Sequence, residues 1–178
     1  MKNKKGNRGY TLVEIIIAIQ IFFMIVTFAY TIYLFGYKFL LNWEEKNDIA
    51  VNELQIKRVL LNELSGAKSI ITISTMGIEY VNPNYSYNRI HWLKNNLYLN
   101  QRVLNNAKIS LIMNNLNLLK NINNKLEIIP LSQLDINNDK ILDINEFTHI
   151  EALQMEFELR SKKFTRKSVL LISLIKAI

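Results

Sequence analysis

Residues 8–37 read RGYTLVEIIIAIQIFFMIVTFAYTIYLFGY, and no charged side chain occurs from Ile15 to Tyr37. As a helix rising about 1.5 Å per residue, that run measures roughly 35 Å, enough to cross a hydrocarbon core about 30 Å thick. Working outward, residues 1–9 (MKNKKGNRG) carry Lys2, Lys4, Lys5 and Arg8 and no acid. A basic flank of this kind holds the N-terminus in the cytoplasm and predicts that the remainder is translocated. A cleaved secretory signal fits poorly: the apolar run exceeds the usual core of about 7–15 residues, and no small-residue cleavage site closes it. An ordinary signal anchor is the second alternative.

Glu14 is what a plain anchor does not explain. It stands at the mouth of the apolar run, where an ionised carboxylate is expensive and usually has a partner. The next basic residue along the chain is Lys38, about 36 Å further on the same helix. A cationic partner is therefore expected from Arg8 and the leader or from another molecule.

The order Arg-Gly-Tyr-Thr-Leu-Val-Glu followed by a long apolar helix resembles the class III signal of type IV pilins and type II secretion pseudopilins. The resemblance covers residues 8–30. It implies a prepilin leader over 1–9, cleaved between Gly9 and Tyr10 by a membrane prepilin peptidase that also methylates the new N-terminus. Most family members have Phe at that position, and Tyr10 keeps the aromatic ring. The resemblance further implies that Glu14 pairs with the Tyr10 α-amine of a neighbouring subunit, so that the pair sets register in the assembly more than raw stability. The implied partners are other pilin or pseudopilin subunits, the peptidase, the membrane and an inner-membrane assembly platform. The order of elements also faintly resembles W-type minor pilins and J-type minor pseudopilins.

The whole chain has 178 residues, 22 Lys and Arg against 15 Asp and Glu, and no cysteine. Absence of cysteine excludes a disulfide scaffold, a thiolate metal site and a cysteine nucleophile. With two prolines and five glycines it is not a linker-rich chain. The expected fold class is α+β: a long N-terminal helix over residues 10–64, with its transmembrane segment at about 15–37, packed on a small antiparallel β-sheet head over 65–178. No proline before Pro83 interrupts the helix. Ile49, Ile56, Leu60 and Leu64 share one face, with Val59 beside them. Ser65-Gly66 is the expected stop, through a left-handed glycine.

In the head, Ser69–Ile73, Ile78–Val81, Arg89–Leu93, Leu97–Asn100 and Lys108–Met113 read as strands, with a hairpin turn at Lys94-Asn95-Asn96. Asn114–Lys125 reads as a polar surface segment or a variable loop. Ala152–Arg160 alternates strictly, with Leu153, Met155, Phe157 and Leu159 on its inner face. Val169–Ile175 is its expected return strand. Between them Arg160, Lys162, Lys163, Arg166 and Lys167 surround Phe164, a basic group that is either a solvated hairpin tip or a contact for nucleic acid or anionic lipid.

The strongest chemical pattern in the head is DINNDKILDINE, residues 135–146. Asp135, Asn137, Asp139, Asp143 and Glu146 occupy the first, third, fifth, ninth and twelfth places of an EF-hand-type loop, and the carbonyl of Ile141 the seventh. Calcium takes about six to eight hard oxygens in such a wrap. Lys140 replaces the usual glycine at the sixth place, at a cost of about 1 kcal/mol for a left-handed turn. A plain acidic turn is the alternative. His91 and His149 read as ordinary strand or loop residues, and no nucleotide or hydrolase motif occurs, so no enzymatic role is expected.

The leading expectation is a structural, minor subunit of a type IV pilus or type II pseudopilus, anchored in the cytoplasmic membrane with its head outside. The alternatives are a DNA-uptake or adhesion pilin using the basic group, although nucleic acid is not the expected partner, and a membrane-anchored calcium-binding protein that never polymerises.

Overall fold

The computed structural model describes residues 11–122, 125–135, 139–143 and 150–174. The chain divides into two units, Met1–Glu44 and Glu45–Ile178. The first unit holds the N-terminal part of α1, the helix Leu12–Ser65. It is apolar on every side, and none of its membrane-length window is buried within the chain. The hydroxyls of Thr27 and Thr31 donate back to the carbonyls of Phe23 and Thr27, both at 2.8 Å. That leaves neither hydroxyl proton unsatisfied in an apolar setting.

The second unit holds the rest of α1 and two antiparallel sheets. The strands are β1 (Ser69–Ser74), β2 (Gly77–Val81), β3 (Tyr87–Leu93), β4 (Asn96–Leu99), β5 (Arg102–Val103), β6 (Ser110–Ile122), β7 (Lys125–Ile129), β8 (Ile141–Asp143), β9 (Ile150–Arg160) and β10 (Thr165–Ser173). A short helix α2 covers Leu131–Leu134. One sheet runs β5-β4-β3-β2-β1-β8, a meander closed at one edge by a late strand. The other runs β10-β9-β6-β7. The α+β expectation holds, with two sheets where a single small one was expected.

Each part of the core follows from a periodicity. Along α1, Ile49, Ile56, Leu60 and Leu64 are fully buried, as their shared face requires. They join Ile73, Ile78, Tyr80 and Ile90 of the first sheet and Leu111, Leu118, Met155 and Phe157 of the second in one cluster. In β9, Leu153, Met155, Phe157 and Leu159 face inward as their alternation dictates. Glu158, on the opposite face, is nevertheless buried, beneath its ion pair with Arg160 at 2.5 Å.

Three expectations are corrected. Gly66 does follow the last helical residue, but none of the described glycines has positive φ. Its requirement is space: a Cβ there would lie 2.8 Å from the Asn62 carbonyl oxygen. The Asn-rich segment is not a loop over its first part, because β6 runs on to Ile122 and pairs with β9 and β7. Asn is a poor strand former, but Leu116 and Leu118 supply the alternation, and Asn115 Nδ2 donates across to Glu156 Oε2 at 3.0 Å. The return strand β10 begins at Thr165, so Arg166 and Lys167 belong to a strand, and the tip is only Ser161–Phe164.

Arg166 has a structural task that its place in a basic run conceals. Glu53, 5% exposed, projects from α1 into the second unit's interior. Its Oε1 receives Lys57 Nζ at 2.8 Å and the Ser168 hydroxyl at 2.8 Å, and Arg166 Nε pairs with its Oε2. Burial pushes this carboxyl up. The Lys57 and Ser168 hydrogen bonds and the charges of Lys57 and Arg166 outweigh that and hold it below the ordinary value. Glu53→Ala is expected to cost about 2 kcal/mol in denaturant unfolding of the detergent-solubilised chain, since the cations left behind still reach solvent. A carboxyl held below 4.5 contributes stability above that pH and loses it as the pH falls through the folded value. Glu53→Gln is therefore expected to flatten part of the acid limb of a stability-versus-pH curve.

Candidate functional site

In the first unit the candidate site is the start of α1. Gly9 and Tyr10, the expected processing pair, lie outside the described residues. Glu14 is described, and its surroundings add a role that charge reasoning missed. Thr11 is the N-cap of α1 and Glu14 the third helical residue. The Thr11 backbone N–H donates to Glu14 Oε2 at 2.8 Å, the Thr11 hydroxyl donates to the same oxygen at 3.0 Å, and the Glu14 N–H donates back to Thr11 Oγ1 at 3.3 Å. This is a capping box, and the T-L-V-E spacing carried its signature. The box satisfies backbone donors that the helix start leaves open, and the helix dipole favours the negative charge there. It does not neutralise the carboxylate. Oε1 accepts no hydrogen bond from any described residue, so one oxygen stays available to a cation.

In the second unit the acidic loop is partly described. Asn137 and Glu146 lie outside the described residues, as does His149. Asp135 closes α2 and folds the chain over itself: Oδ1 accepts the Asp139 N–H at 3.2 Å and Oδ2 the Lys140 N–H at 2.8 Å. Asp139 Oδ1 in turn accepts the Ile141 N–H at 2.8 Å. Lys140 takes the left-handed conformation (φ 66°) that the sixth place of a calcium loop requires, despite its Cβ. Ile141 and Asp143 are the ends of β8, which pairs with β1 through Ser74↔Ile141 and Thr72↔Asp143. Leu142 between them is fully buried, which anchors the loop's exit in the core. Among the described residues no three potential metal-ligating side chains come together.

His91 lies in β3. Its ring stacks on Tyr98 at 4.9 Å, and burial followed by the nearby Arg89 charge pushes its pKa down. Tyr80 is a core residue whose hydroxyl donates to Glu63. Tyr85 is an exposed turn residue beneath Lys68 Nζ, 3.6 Å from the ring centre.

No protein-family model, no characterised protein and no solved structure matches this chain.

The capping box yields a direct measurement. Thr11→Ala removes one acceptor and one donor and is expected to cost the helix start about 1 kcal/mol. Amide exchange at Glu14 and Ile15, whose N–H groups donate to Thr11, should quicken by about fivefold, with exchange beyond the first turn unchanged. Unchanged exchange at those amides would show that the box does not hold the helix start.

Proposed function

We propose that this chain is a prepilin-like structural subunit, made as a membrane-anchored precursor and assembled as a minor component of a type IV pilus or type II secretion pseudopilus. The single observation that carries this reading is the start of α1. An uncharged, unburied helix long enough to span a bilayer opens on a carboxylate with one oxygen unclaimed within the described chain. Such a helix must be covered by lipid or by other helices, and such a carboxylate favours a nearby cation. Cleavage between Gly9 and Tyr10 would create that cation as an α-amine and remove four basic side chains at once. The resemblance of residues 8–30 to the class III signal supports the same sequence of events. The N-terminus lies in the cytoplasm and the head beyond the membrane until the subunit is drawn into the filament. Other subunits, the prepilin peptidase and an inner-membrane assembly platform are its partners, and energy for extraction comes from elsewhere.

Mass spectrometry of the N-terminal peptide of the native protein tests the processing step. A methylated Tyr10 start is expected, and a chain beginning at Met1 would overturn the proposal. Glu14→Gln then separates the two roles of that residue. Glutamine can still complete a capping box but carries no charge. The variant is expected to insert and be processed normally, yet to be missing from sheared filaments. Normal incorporation would leave the cap as the whole role of Glu14.

The acidic loop supports a second feature of the same head, a calcium ion held by Asp135, Asn137, Asp139, the Ile141 carbonyl, Asp143 and Glu146. The left-handed Lys140 and the buried Leu142 favour it over a plain turn. Titration calorimetry of the detergent-solubilised chain should show calcium binding at about 10⁻⁴ to 10⁻³ M, the range of extracellular modules, and Asp139→Ala should abolish it. Absence of heat and of any melting shift at millimolar calcium would remove the metal from the proposal.

A further inference from the structure

The basic run 160–167 is not one patch. Arg166 pairs with Glu53 and lies in β10. The rest of the tip meets cations from distant parts of the chain. Lys94 and Asn95 at the β3–β4 turn, Lys108 before β6, and Arg160, Ser161 and Lys162 at the β9–β10 turn frame one cleft of about 340 Å³. No acidic side chain lines it. Among the described residues Lys94, Lys108 and Lys162 have no carboxylate within ion-pair reach, and Arg160 pairs with Glu158 beneath it.

The frame is built, not incidental. Asn105, 5% exposed, ties two of the turns together. Its Oδ1 accepts the Leu97 N–H at 2.9 Å, and its Nδ2 donates to Asn96 Oδ1 at 2.9 Å and to the Ile109 carbonyl at 2.6 Å. The Leu111 N–H donates to the Asn95 carbonyl at 2.7 Å, and the Ser110 hydroxyl to the Arg160 carbonyl at 3.3 Å. Like charges are thereby held around a shared space where, among the described residues, only Arg160 has a carboxylate partner, an arrangement that favours an anion.

The tip is also tethered. The Lys163 N–H donates to Glu45 Oε1 at 3.2 Å, and Lys46 Nζ lies 5.0 Å from the centre of the Phe164 ring. Glu45 follows Tyr37, the last residue of the uncharged run, by eight positions. Even fully extended, eight residues span only about 28 Å. The headgroup layer adds roughly 5–8 Å beyond the hydrocarbon on each side. The contact with Glu45 therefore ties the tip to within about 28 Å of chain from the end of the uncharged run.

From the cleft and the tether together, the geometry points to recognition of an anionic phospholipid headgroup, its phosphate seated among Lys94, Lys108, Arg160 and Lys162. The inference rests on anchoring by residues 15–37 and is independent of filament assembly. Nucleic acid is the less fitting partner. No aromatic side chain lines the cleft to stack a base, and the space is compact where a strand needs a continuing track.

The test uses the full chain in nanodiscs of phosphatidylcholine alone or with phosphatidylglycerol, with lysine acylation rates read by peptide mass spectrometry. Lys94, Lys108 and Lys162 should react about fivefold more slowly in the anionic discs, and raised salt should reverse the effect. Lys120, ten positions along β6 from Ser110 or about 33 Å, should not change. In the Lys108→Gln/Lys162→Gln variant the protection of Lys94 should be lost. Equal rates in the two lipids would overturn the inference. Protection in neutral discs by inorganic phosphate, or only by added duplex DNA, would overturn it in favour of a free-anion or nucleic-acid site. A chain that does not co-elute with neutral discs would overturn the anchor and this inference with it, which separates that failure from a failure of the cleft.

Discussion

A helix that is apolar on all sides and buried on none imposes the constraint from which the rest of this protein follows. From Ile15 to Tyr37 it offers no charge to water and no stripe that its own chain covers. At about 25 cal/mol per Å² of apolar surface, so many exposed large side chains demand a cover from outside, either lipid or other helices. The capping box at its mouth uses the carboxylate without neutralising it. One oxygen of Glu14 serves the helix's own first turn, and its charge remains for a partner.

In the second unit the same helix changes character. Its apolar residues narrow to one face, and that face closes the core made by the two sheets. At the edge of this face Glu53 draws Lys57, Ser168 and Arg166 together, so an ionic network fastens β10 to α1 where hydrophobic contact alone would leave register loose. The hairpin tip is fastened to the same helix about two turns earlier, through Glu45 and Lys46. The Ser161 hydroxyl, ahead of the Lys163 and Lys162 amides, holds the Glu45 carboxylate below its ordinary range. With both ends of its first strand turns held, β10 cannot slide on the helix without breaking charged contacts.

That fastening decides where the positive charge goes. Two of the five basic residues of 160–167 enter ion pairs, Arg166 with Glu53 and Arg160 with Glu158, and Arg160 and Lys162 acquire Lys94 and Lys108 as neighbours. Four cations from three separate turns thus share one concave place in the second unit. The acidic residues cluster elsewhere, in the loop between α2 and β8, where Asp135 and Asp139 organise backbone amides.

What the amino-acid order determined unaided was whatever depends on short-range periodicity. The length of the uncharged helix, the buried face at Ile49, Ile56, Leu60 and Leu64, the alternation of β9 and the hairpin at Lys94–Asn96 could all be read because each repeats within a few residues. The capping box at Thr11–Glu14 is equally local, although the charge of the carboxylate at the mouth of an apolar run masks its part in the cap. Tertiary structure alone decided the rest. Asn115 and Asn117 became strand residues because β9 lay opposite with matching partners, a non-local pairing that outweighs their weak propensity. Glu53 became buried because Arg166 and Ser168, more than a hundred positions away, converge on it. The basic cleft exists because three turns meet in space, and no spacing along the chain encodes such a meeting.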